Sequence, residues 1–75
     1  MITPVLEALY LAGVRRDSAE VLVRLRAVLE SDERDGVLDA LYAHRTDLDA
    51  AFILGHLKWE RTAKGWKCEL KGGVA

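Results

Sequence analysis

The last third of the chain places the tightest limit on its fold. From Leu57 to Lys71 it reads LKWERTAKGWKCELK, with apolar residues at every second position: Leu57 and Trp59, then Trp66, Cys68 and Leu70. Period two is the strand period, because successive side chains point to opposite faces of a sheet. Gly65 supplies a residue able to take positive φ in a tight turn. An even loop, either Lys64-Gly65 or Ala63 to Trp66, sets Trp59 opposite Leu70 and Arg61 opposite Cys68. Trp59, Trp66, Cys68 and Leu70 then share one face, with Lys58, Glu60, Thr62, Lys67, Glu69 and Lys71 on the other. An odd loop would flip the apolar set of one strand. A lone hairpin is marginal in water, so the Trp face must pack on what precedes it.

What precedes it is helical. Thr3-Pro4 opens a first helix as N-cap and first helical residue; Val5, Leu6, Leu9 and Tyr10 form its stripe, and Gly13 is a natural stop. Asp17 to Glu20 is a start signal of capping-box type, with Glu20 reaching back. Val21, Leu22, Leu25, Val28 and Leu29 then repeat at helical spacing, with Glu20 and Arg24 paired at i, i+4. Ser31-Asp32-Glu33 either caps a third helix or kinks the second into it, and Val37, Leu38, Leu41 and Tyr42 follow. Thr46 to Asp49 opens a last helix to about His56, apolar nearly all round and therefore buried on several sides. The expectation is an α+β, mostly helical domain: three to four helices, then a C-terminal β-hairpin. Residues 1–75 form one domain, divided into an N-terminal helix (1–16), a helical body (17–56), the hairpin (57–71) and a frayed tail (72–75).

Charge is unevenly spread along the 75 residues, whose net charge is −1. Residues 17–50 hold nine acids against four arginines, and residues 51–75 five bases against two acids. An acidic body thus carries a basic hairpin. One cysteine, Cys68, excludes an internal disulfide and suits a reducing compartment, so a cytoplasmic location is expected. No run reaches the roughly 18 apolar residues of a membrane span, and no basic leader opens the chain.

The order helix 18–30, helix 33–44, short turn, helix 47–56 and hairpin, with the junction FILGHLKWERTAKGWKCEL, resembles the winged helix-turn-helix fold preceded by an extra helix. The likeness covers residues 18–71. It implies a recognition helix over Asp47 to His56 and a wing over Thr62 to Trp66. The outer side of that helix offers Asp47, Asp49, Ala50, Ile53 and Leu54 in place of the donors that read base edges. Nucleic-acid contact is therefore expected through the wing, and winged helices also serve as protein-interaction modules.

Lys58, Arg61, Lys64, Lys67 and Lys71 are the candidate phosphate contacts, and Trp66 the base-stacking residue. By parity Arg61 lies on the Trp face, stacking on Trp59 or Trp66 or meeting an acid of the body. Arg15 and Arg16 suit the terminal carbonyls of the first helix. Leu11, Val14, Ile53 and Leu54, with Val23, exceed what one small core needs and are the candidate partner or dimer interface. Cys68, His44 and His56 have no catalytic spacing, the acids have no metal-loop spacing, and no glycine-rich phosphate cradle is present. No enzyme, cofactor, metal or small-molecule substrate is expected. Two readings stand: a winged-helix regulator, expected as a dimer, touching nucleic acid through its wing and flanking bases, or a protein-binding modulator of a bacterial or phage complex acting on a larger protein partner through its apolar helix surface or its acidic body.

Overall fold

The computed structural model describes residues 2–71. Four helices, α1 (Ile2–Val14), α2 (Ser18–Leu29), α3 (Arg34–Ala43) and α4 (Leu48–Leu54), precede an antiparallel hairpin of β1 (Leu57–Thr62) and β2 (Gly65–Leu70). The expected class, α+β and mostly helical with a C-terminal hairpin, is what the chain adopts. Among the described residues no helix is long and apolar enough to cross a membrane. Leu9 of α1, Val21, Leu25 and Val28 of α2, Val37, Leu38 and Leu41 of α3, and Ile53 of α4 are fully or almost fully buried, and Leu57 and Trp66 of the hairpin close the core.

Helix α1 is already formed at Ile2, so Thr3 lies within it and is not its cap. Nor does Gly13 stop it. The helix ends instead in a Schellman motif: the Arg16 N–H donates to Gly13 O and the Asp17 N–H to Ala12 O, both at 3.0 Å, with Arg16 at φ 54°. Gly13 serves packing. A Cβ placed there would lie 2.8 Å from Ile53 Cδ1 and 3.3 Å from Asp49 O, so only glycine lets α1 and α4 approach this closely. The Arg16 side chain closes the same junction, donating to Gly13 O and to Asp49 Oδ1 (2.8 Å) and lying 4.9 Å from the Phe52 ring centroid.

The Asp17 carboxylate caps α2 by accepting the Glu20 N–H at 3.1 Å. The reciprocal half of a capping box is missing, because the Asp17 N–H is already committed to Ala12 O. Glu20 pairs with Arg24 instead, 2.7 Å away. A turn, not a kink, leads to α3, and Ser31 Oγ accepts the Glu33 N–H there at 3.0 Å. Asp47 caps α4 as expected, accepting from the Asp49 N–H at 2.8 Å. That helix is only seven residues long, shorter than the expected 47–56. Gly55 is its C-cap and His56 a turn residue before β1, whose carbonyl accepts the Lys71 N–H at 2.8 Å just beyond the end of the ladder. The expected frayed tail, Gly72 to Ala75, lies outside the described residues.

The hairpin keeps its expected faces but not its expected register. Thr62 pairs with Gly65, so the two-residue turn is Ala63-Lys64, and Gly65 carries its positive φ of 127° on the strand side of that turn. Trp59 faces Cys68, Leu57 faces Leu70 and Arg61 faces Trp66. The slip is two residues, so every side chain stays on its face. Charge accounts for it. The expected register would have set Lys58 against Lys71 and Glu60 against Glu69, whereas the observed one sets Lys58 against Glu69 and Glu60 against Lys67. Like charges directly opposite destabilise a sheet and unlike ones stabilise it. Thr62 Oγ1 also fastens the turn, donating to Gly65 O at 2.9 Å and accepting the Lys64 N–H at 3.2 Å.

Candidate nucleic-acid interface

Helix α3 holds the hairpin chiefly at Trp66 and Arg61. Asp39 Oδ1 accepts the indole Nε1–H at 2.9 Å, and the Arg34 guanidinium donates to the Trp66 carbonyl at 3.3 Å. The ring is 7 % exposed, edge-on to Tyr42 and tilted against Trp59, with centroids 5.6 Å away in each case. Trp66 is thus a core residue, and its ring is closed to a base. This corrects the expectation that it stacks on nucleic acid. The tip position that suggested exposure is folded down onto α3.

Arg61 meets both expectations drawn from parity. Its guanidinium lies 5.4 Å from the Tyr42 and Trp66 ring centroids and pairs with Asp39 Oδ1. Asp39 therefore accepts from an indole and a guanidinium at one oxygen. Those two hydrogen bonds, the Trp66 one first, hold its carboxyl below the usual aspartate range, against a smaller opposing effect of desolvation. Asp39 and Arg34 were not singled out from the sequence. A signal existed: Asp35, Asp39 and Tyr42 lie at i, i+4 and i+7, one face of α3 opposite a hairpin that carries Arg61 on β1 and Trp66 on β2.

The lysines behave differently. Lys58, Lys64, Lys67 and Lys71 are all exposed and enter none of the ion pairs among the described residues, which join Arg16 to Asp49, Arg24 to Glu20, Arg34 to Asp35 and Arg61 to Asp39. An open groove of about 540 Å³ runs over the hairpin beside Arg34, lined by Lys58 and Lys67 but also by Glu60 and Glu69.

Of the candidate interface residues, Leu11 and Val14 are 60 % and 56 % exposed and lie one turn apart on α1. Ile53 (0 %) and Leu54 (5 %) are buried, which corrects their assignment to an interface. So short a helix is apolar on several sides because α1, α3 and β1 all pack on it. What α4 turns outward is Leu48, 77 % exposed, with Ala51 and Gly55. None of these reads a base edge, and Asp47 and Asp49 stand at the helix start.

No group of acids, histidines and cysteine able to hold a metal occurs among the described residues. Burial pushes the Cys68 thiol up, an effect opposed by Arg34 and reinforced by Asp35. His56 is occupied by Phe52 O at 2.8 Å and Ser18 Oγ at 3.2 Å. No protein-family model, no curated protein and no solved structure matches this chain.

Proposed function

We propose that this is a small non-enzymatic regulatory protein of winged-helix type that contacts DNA through its hairpin, with Lys58, Lys64, Lys67 and Lys71 on the phosphates. One observation carries the reading. All four lysines of the chain lie on or beside the hairpin, exposed and in none of the ion pairs among the described residues, while four of its seven arginines are tied into such pairs. Arg61 and Trp66 support the wing from beneath, and α4, with no polar donor facing outward, leaves the contact to the backbone. The lone thiol of Cys68 fits a reducing cytoplasm.

The test is a titration against a mixed-sequence labelled duplex at two salt concentrations, read by anisotropy. With two to four phosphates engaged, log K should fall with log salt at a slope of about −2 to −4. Lys64→Glu combined with Lys67→Glu should abolish binding. Absence of binding at low salt overturns the reading.

A second reading, a protein-binding module acting as a homodimer or on a larger partner, is favoured by Leu48, whose side chain stands open on the helix that a DNA reader would use. Leu48→Asp, or Leu11→Asp with Val14→Asp, should then break assembly with the fold intact. Duplex binding should be unchanged by the same substitutions.

A further inference from the structure

A second groove, of about 370 Å³, lies where α4 gives way to β1. Leu54, Leu57 and Trp59 form its floor, and Arg45 and Lys71 border it. It has no acid among its lining residues, unlike the hairpin groove with Glu60 and Glu69 and the α2–α3 groove with Glu30, Asp32 and Asp35. Arg45 is held in place by its side chain, and Lys71 is tied down at its backbone. Arg45 lies with its guanidinium carbon 4.1 Å from the Tyr42 ring centroid and donates from one NH to Tyr42 O at 2.9 Å. Lys71 is fixed through its backbone N–H to His56 O at 2.8 Å. Arg45 has no carboxylate partner among the described ion pairs, so its remaining N–H donors are presented rather than spent.

We propose that Arg45 and Lys71 form a phosphodiester clamp at the base of the hairpin, so that the nucleic-acid backbone runs from the Lys64 tip to this groove. The inference rests on the nucleic-acid reading above. An oriented guanidinium and an exposed ammonium over an apolar floor suit an anion joined to a less polar body, which is the chemistry of a phosphate on its sugar. A planar guanidinium held on an aromatic ring gives up less side-chain freedom on binding than a free lysine does.

The duplex titration is repeated with Arg45→Gln, Arg45→Lys and, as a control outside the groove, Arg26→Gln, circular dichroism confirming the fold of each. Arg45→Gln should lower the magnitude of the salt slope by about 1, whereas Arg45→Lys and Arg26→Gln should keep the wild-type slope. If Arg45→Gln keeps that slope while Lys64→Glu with Lys67→Glu still abolishes binding, the clamp is overturned and the wing reading stands. Equal losses in Arg45→Gln and Arg26→Gln overturn it too, since net charge would then be the cause. A wild-type protein that binds no duplex removes both proposals.

Discussion

Asp39 is the residue on which the hairpin's attachment turns. It joins α3 to Trp66 and Arg61 through one carboxylate oxygen, and both donors favour its charged form. A carboxylate whose pKa is depressed on folding adds stability that is fully present above its unfolded value of about 3.9, and loses it as pH falls through the folded value. Asp39→Asn should therefore melt below wild type at neutral pH, and the gap should close in acid, below the ordinary aspartate range. Melting curves across that range, with emission of the buried Trp66 as a second probe, check this. A gap independent of pH would mean that the carboxylate's charge contributes nothing to the attachment. Little of this residue's role was legible in the sequence. The hairpin's parity brought Arg61 to the correct face, but identifying the acid that meets it required knowing which side of α3 the hairpin covers.

At the scale of elements, the sequence was most informative where one signal decided the outcome and least where two competed. The hairpin's faces follow from apolar parity alone. Its register does not, since two pairings share that parity, and the cross-strand charges choose between them. Exchanging Glu60 and Lys67 tests the point. Glu60→Lys alone sets two lysines opposite each other and should cost about 0.2–1 kcal/mol, and adding Lys67→Glu should restore the loss in a double-mutant cycle of urea midpoints. Gly13 shows the same competition in α1. It reads as a helix stop, yet the stop is made by Arg16, and the glycine's small size is used against Ile53. Gly13→Ala gains about 1 kcal/mol of helix propensity but overpacks a fully buried contact at about 1–3 kcal/mol. The variant should be less stable than wild type by urea denaturation. Helix α4 was legible in its Asp47 cap but not in its end, because Gly55-His56-Leu57 continues a helical apolar pattern. The helix instead gives way to a turn at Gly55 and His56, and the strand begins at Leu57, fastened by the backbone bond from Lys71 to His56.

The whole molecule has little stability to spare, and this decides how its surface can be probed. A core in a chain of this length yields about 3–5 kcal/mol, and replacing a buried isoleucine by alanine removes about 2–5 kcal/mol. Ile53→Ala should therefore leave a protein near its folding limit, while Leu48→Ala, five residues earlier on the same helix and 77 % exposed, should stay within about 0.5 kcal/mol of wild type. Urea denaturation of the two variants measures the difference. Comparable losses at both positions would mean that α4 does not turn its Ile53 side inward. The contrast bears on function, because loss of activity in an Ile53 variant would report unfolding and not a lost partner. Leu11, Val14 and Leu48 test for a partner without that ambiguity. Lys64 and Lys71 test for DNA in the same way, since neither has an acid opposite it in the hairpin, whereas variants of Lys58 and Lys67, each opposite a glutamate, are read against their melting curves. Core and outer surface are thus separable in this chain: Arg34 and Arg61 tie the hairpin to α3, and the lysines lie exposed along it.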